Sequence, residues 1–103
     1  MRFLIFSLMD VSKVPDVSKA SDKVWSKPPA NVKILAAYTC QGLAFPNMPL
    51  HTILTIRAVE VESNETLSAL IYPQSVAGAT VWTTPAMDLP AGAAVELEKK
   101  FRG

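Results

Sequence analysis

The hydrophobic pattern of this chain alternates between two periods, and the change of period predicts six elements in the order β-α-β-β-α-β, followed by a tail. Short runs rich in apolar and β-branched residues predict strands at 3–9, 33–40, 51–61 and 80–84. We expect a single domain over residues 1–103, with 88–103 as a C-terminal tail that is helical from Ala91 to Arg102.

The two segments between these strands have helical spacing. Apolar residues recur on one side of residues 11–27, and a proline pair then ends that helix. The second helix takes Ser63 or Asn64 as its N-terminal cap; Pro73 kinks or ends it, and Gly78 caps any continuation. This order of elements is that of a ferredoxin-like α+β domain, a four-stranded antiparallel sheet with both helices on one face.

The predicted strands are apolar on both faces. The first strand alternates one apolar set with another: Phe3, Ile5 and Met9 on one side, Leu4, Phe6 and Leu8 on the other. Two helices cover only one face, and the other would be a larger apolar patch than soluble monomers normally expose. We therefore expect a homodimer whose sheets pack face to face about a two-fold axis; the alternative is that the tail folds across the open face.

Charge is scarce and unevenly placed. Only 18% of the residues are charged, against about 25% in an average soluble domain, and residues 34–56 and 66–87 carry no charge at all. The formal net charge is +1 without a basic block, so we expect no nucleic-acid partner. The shortage of surface charge agrees with a surface buried against a second subunit.

Neither long apolar stretch is expected to enter a membrane. The run at 3–9 follows Arg2, but Asp10 closes it and no cleavage site follows, while 34–56 is interrupted by a glycine and two prolines. Cys40 is the only cysteine, which excludes an intramolecular disulfide and a thiolate metal cage. We expect a cytoplasmic protein without metal or cofactor.

One part of the chain resembles a known family. Residues 72–79 (Tyr-Pro-Gln-Ser-Val-Ala-Gly-Ala) and 84–88 (Thr-Pro-Ala-Met-Asp) resemble a group of small prokaryotic proteins of unknown function, themselves similar to the dimeric α/β barrel superfamily. The likeness extends from the first strand to Asp88, and only this segment of it is specific. It implies a homodimer in which two sheets form one barrel, and it brings no catalytic residues.

The chain has no catalytic signature, but three polar residues are candidates for a ligand site. Tyr38 and Arg57 lie within apolar strands, and inside a barrel they would orient a small polar ligand. An outward Arg57 would instead pair with Glu60 or Glu62. His51, the only histidine, is either a proton donor or acceptor or an ordinary surface residue at the end of a strand.

The loop at 41–50 is the remaining candidate. Phe45 and Met48 belong to a set of apolar residues that is unusual for a hairpin connection facing water. The loop either covers a ligand at the mouth of the barrel or docks onto the other subunit, and we favour the second.

These observations favour a non-enzymatic homodimeric binding or interaction protein that takes a small apolar ligand in its barrel. The alternative is a cofactor-independent enzyme of the monooxygenase or isomerase type, with His51, Tyr38 and Arg57 as its polar groups; fold analogy alone supports it. An enclosed pocket holding at least two of these side chains would favour the alternative.

Overall fold

The structure, a computed structural model, describes residues 1–90 and 92–102. Its strands are β1 (Arg2–Asp10), β2 (Val32–Thr39), β3 (Thr52–Val61) and β4 (Thr80–Pro85), and its helices are α1 (Val14–Trp25), α2 (Asn64–Val76) and α3 (Ala93–Arg102). The predicted α+β class is therefore confirmed. The tail is helical as predicted from residue 93 onward, whereas Ala91, the predicted start of this helix, lies outside the described residues.

The four strands form one sheet in the order β2-β3-β1-β4, and every neighbouring pair is antiparallel. This confirms the four-stranded antiparallel sheet and makes the arrangement compatible with a ferredoxin-like fold. The strands β2 and β4 form the two edges, and Pro85 is the last residue of β4, where its missing N–H removes no bond from the centre of the sheet. The pairing of β2 with β3 shifts register between Ile34 and Ala36, so Leu35 is an extra residue in β2.

The first helix is shorter than the predicted 11–27. The carboxylate of Asp10 accepts hydrogen bonds from the backbone N–H of Ser12 at 2.9 Å and from its hydroxyl at 2.7 Å. These bonds hold residues 11–13 in a single 3₁₀ turn, after which α1 begins with Pro15 in its first turn and runs to Trp25.

The second helix begins at the predicted cap and passes through its proline. The hydroxyl of Ser63 accepts from the backbone N–H of Thr66 at 3.1 Å, which selects Ser63 over Asn64 as the N-terminal cap. The helix continues past Pro73 to Val76, and Gly78 follows with a φ of +116°, a conformation that suits glycine.

The core lies between the sheet and one layer formed by α1 and α2. Its main cluster joins both central strands to α2: Phe3, Ile5, Val59, Val61, Leu67 and Leu70, with Val24 and Trp25 of α1 packed against it. A second, smaller cluster of Met9, Val17 and Ala79 lies toward the start of α1. Both helices therefore pack on the same face of the sheet.

Candidate functional site

The sheet face turned away from α1 and α2 is apolar and only partly covered, and we call it the open face. Because side chains alternate along a strand, pairing partners project on the same side of the sheet, and the register assigns the members of this face. They are Leu4, Phe6 and Leu8 of β1, Leu54, Ile56 and Ala58 of β3, Ala36 and Tyr38 of β2, and Thr80, Trp82 and Thr84 of β4.

The centre of the open face is a single row that crosses all four strands. Tyr38 lies opposite Ile56, Ile56 opposite Phe6, and Phe6 opposite Trp82. The rings of Phe6 and Trp82 stack with their centroids 5.4 Å apart and their planes 8° from parallel. Tyr38 is 66% exposed and Trp82 is 39% exposed, so both ends of the row are available for contact.

Charge on this face lies at its two ends. The Nε of Arg2 donates to a carboxylate oxygen of Glu60 at 3.0 Å, and its guanidinium also pairs with Asp88, just after β4. Lys33 lies opposite Glu60 in the neighbouring strand. Asp10, which pairs with Thr52, lies at the opposite end, and the area between the two ends carries no charged side chain among the described residues.

The other end of the open face meets the loop at 41–50. Leu54 is the one member of the face that is buried, and Met48 in the loop is buried as well. The backbone N–H of Ala44 donates to the Met48 sulfur at 3.3 Å, so the loop is folded around that side chain. Leu43 and Leu50, in contrast, are strongly exposed.

The tail does not cover the open face in the part of the chain that the structure describes. The helix α3 packs extensively against no other element, and its Phe101 is 89% exposed. Among the described residues, the alternative in which the tail folds across the open face is therefore not what the structure shows.

A different kind of site lies on the helix side of the sheet. A cavity of about 140 Å³ opens between β3 and α1, and seven of the nine residues that line it are polar: Ser18, Ser21, Asp22, Thr39, Thr55, Arg57 and Gln74. A larger hollow of about 610 Å³ lies on the outer side of the helix layer, between α1 and α2, but its surface is mainly apolar and open to solvent.

Arg57 is the positively charged group of this cavity. One terminal nitrogen of its guanidinium donates to the Ser21 hydroxyl at 3.2 Å, and its central carbon lies 4.9 Å from the centre of the Trp25 ring. Burial lowers the pKa of Arg57, and the nearby charge of Asp22 partly opposes that shift. The side chain remains a cation, because an arginine pKa lies far above neutral pH.

The structure places the three polar residues that the sequence proposed as candidates in three different surroundings. Arg57 faces the helices, and among the described residues it pairs with no glutamate. Tyr38 projects from the opposite face, opposite Ile56. His51 is exposed in the turn before β3, with a left-handed φ of 59°.

The two loop candidates have different surroundings. Met48 is buried, whereas Phe45 is only partly buried. The backbone N–H of Met48 donates to the carbonyl of Phe45 at 3.3 Å, which places both within one tight turn. Neither residue lines the cavity at Arg57.

Sequence reasoning missed the polar lining of that cavity. The sequence analysis did not single out Ser21 or Gln74, and both are buried. The sequence did contain a signal, a polar residue at a position where helical spacing predicts an apolar one. Ser21 lies one turn from Val17 and Gln74 one turn from Leu70, on the apolar side of each helix.

Comparisons of the sequence with protein-family models and with curated proteins gave no match. No described helix is both long and apolar enough to cross a membrane. Residues 1–90 and 92–102 also contain no group of three or more histidine, cysteine or acidic side chains placed to hold a metal ion.

Proposed function

We propose that this protein is a homodimeric binding protein in which the open faces of two copies pack together as the dimeric α/β barrel of ferredoxin-like domains. The observation that carries the proposal is the apolar row of Tyr38, Ile56, Phe6 and Trp82, which is exposed at both ends and partly exposed at its centre. A second copy is the natural occupant, because a two-fold axis lets one surface bury itself against its own image.

The size of the face supports a dimer that also uses neighbouring segments. Four strands about 4.8 Å apart, over five residues at about 3.4 Å each, give a flat area on the order of 300 Å². A stable interface buries roughly 800 Å² on each partner, so the open face supplies less than half of it. Leu43 and Leu50 in the loop and Met87 after β4 are exposed apolar residues that would supply more. This agrees with a loop that docks onto the other subunit.

The chemistry of the face indicates the ligand. Two sheets packed face to face lie about 10 Å apart with side chains between them, so a ligand held there would contact the aliphatic and aromatic groups of the central row. Tyr38 supplies the polar group of that row, a hydroxyl that would orient one end of a bound molecule. The proposed ligand is therefore a small and mainly apolar compound. A cytoplasmic location agrees with the single free cysteine, Cys40.

The enzyme alternative has less support. It requires at least two of Tyr38, His51 and Arg57 in one pocket, but the cavity at Arg57 is lined by neither of the other two. Tyr38 and Arg57 also project from opposite faces of the sheet.

Light scattering tests the dimer directly. The native chain at micromolar concentration should have about twice its chain mass of 11.2 kDa. Trp82→Glu should produce a folded monomer, because it places a charge in the proposed interface at a position that a single chain leaves partly exposed. Tyr72→Glu, on the exposed surface of α2, is the matched control and should remain dimeric. A native monomer would refute the proposal.

Native mass spectrometry tests the ligand. A dimer that carries a small molecule from expression should lose it on organic extraction and regain it from the extract. Tyr38→Phe should weaken this rebinding while leaving the dimer intact, since it removes only the hydroxyl. A dimer that carries nothing and rebinds nothing would leave the protein as an interaction module without a ligand.

A further inference from the structure

The helix-facing side of the sheet contains a polar row where a core would normally be apolar. Ser7 of β1, Thr55 of β3 and Thr39 of β2 lie opposite one another on that side. Arg57 lies two residues further along β3, and α1 and α2 contribute Ser21 and Gln74 from above. Polar groups from four elements, β2, β3, α1 and α2, therefore line one cavity, and Ser7 of β1 lies in the row beside it.

Several of these buried polar groups have incomplete hydrogen bonding within the chain. The side chain of Gln74 is 1% exposed, and its amide nitrogen reaches only the Leu70 carbonyl, at a long 3.5 Å. The hydroxyl of Ser7, which is buried beside the cavity, has no hydrogen-bond partner among the described residues. A buried polar group without a partner is unfavourable, so such a cluster indicates something that completes it.

Arg57 also has incomplete hydrogen bonding within the chain. Its guanidinium carries five N–H donors. Among the described residues Ser21 is its one hydrogen-bond partner, and no carboxylate forms an ion pair with it. The flat side of the group is occupied by the Trp25 ring at 4.9 Å, which leaves the planar edge of the guanidinium for a ligand.

The cavity is reachable and small. It is bounded on one side by Thr39 of the edge strand β2, whose side chain is exposed, so a solute can enter from that edge. A volume of about 140 Å³ holds a compound of a few non-hydrogen atoms. Asp22 lines the same cavity and contributes a negative charge, which would repel a second negative charge on a ligand.

We propose that this cavity binds a small hydroxylated monocarboxylate, with its carboxylate on Arg57 and its hydroxyl among Ser21, Thr55 and Gln74. The planar edge of a guanidinium matches a carboxylate with two parallel hydrogen bonds. Asp22 then selects against dicarboxylates and phosphate. This site lies on the opposite side of the sheet from the open face, so it stands independently of the proposed dimer.

The test uses Trp25 as the reporter. In Trp82→Phe, Trp25 is the only tryptophan, and a ligand that draws the guanidinium toward itself should change its fluorescence. Glycolate is the probe, titrated from about 10 μM to 50 mM, because so few atoms cannot bind much more tightly than micromolar. The neutral glycolamide is the matched control compound. The side-chain amide signal of Gln74, followed by NMR in the native chain, is the second readout.

Three variants make the outcome decisive. Arg57→Met should weaken glycolate binding at least about thirtyfold, whereas Lys33→Gln, a distant change of charge on exposed β2, should not. Asp22→Asn should strengthen glycolate binding by about threefold to tenfold and should admit malonate. Since Asp22 is exposed, that variant should fold even if Arg57→Met does not.

The following results would overturn the proposal. One is the absence of a saturable response to glycolate in both readouts. Another is an equal response to glycolamide, which would show that the carboxylate is not recognised. A response that Arg57→Met leaves unchanged, or that Asp22→Asn weakens, would show that these charges do not form the site.

Discussion

Replacing Phe6 by alanine should weaken the proposed dimer in addition to destabilising the single chain. Within one chain, the change removes the stack on Trp82, worth about 0.5–1.5 kcal/mol, and part of the packing of a side chain that is already mostly covered. In the dimer, the part of the ring that is still exposed would meet the partner. Burying roughly 40 Å² of ring and a similar area of the partner is worth about 2 kcal/mol at 25 cal/mol per Å².

Symmetry doubles this loss, because each dimer contains two copies of Phe6. The expected change in the free energy of association is therefore about 3–4 kcal/mol, or a dissociation constant higher by roughly 10²–10³-fold. Sedimentation over a concentration series measures that constant, and urea unfolding measures the stability of the chain. Tyr72→Ala, on the exposed surface of α2, is the control and should change neither the dissociation constant nor the free energy of unfolding appreciably. The reasoning fails if Phe6→Ala lowers the free energy of unfolding but shifts the dissociation constant by less than about threefold.

Three smaller predictions concern the ends of elements. Ser63→Ala removes the acceptor for the Thr66 N–H and should lower the free energy of unfolding by about 1 kcal/mol in urea, and an unchanged midpoint would contradict the cap. Gly78→Ala places a residue with a side chain at a backbone φ of +116°, which should lower the free energy of unfolding by about 1 kcal/mol or more. A stabilised variant would show that the backbone is not held in that conformation. Hydrogen bonds from the Ser12 hydroxyl and then its backbone N–H lower the pKa of Asp10, so its contribution to stability is present above the unfolded-state pKa and is lost as pH falls through the folded one. NMR titration should show Ser12→Ala raising that pKa, and no rise would remove the assigned cause.

Local pattern was sufficient for the elements and for the apolar nature of both sheet faces. Leu4, Phe6 and Leu8 alternate with Phe3 and Ile5, and the structure puts the first set on the open face and the second in the core. This worked because side-chain direction in a strand depends only on position along that strand. The boundaries were less accurate where single residues take turn conformations. His51, predicted as the first residue of a strand, has a left-handed backbone and precedes β3.

The sequence pattern could not predict on which face of the sheet Arg57 lies. That face depends on the register that pairs Arg57 with Ile5, and β1 and β3 are joined by no hairpin that would fix that register. In β3, moreover, residues on both sides are apolar, so hydrophobicity does not choose between the faces. Ser21 and Gln74 could be recognised as cavity residues only after both helices had been placed on the sheet.

The extra residue in β2 has a consequence for how copies of this protein meet. An edge strand offers unpaired backbone groups to a strand from another molecule, which is the first step toward fibrils. In β2 the bulge at Leu35 interrupts that series of groups, and Lys33 adds a charge beside it. Deleting Leu35 should straighten the edge and give faster growth of thioflavin-positive aggregates; growth no faster than that of the native chain would remove this role from the bulge. The irregular edge thus works against open-ended stacking, and in the proposed dimer the flat side of the sheet is the surface on which association closes after two copies.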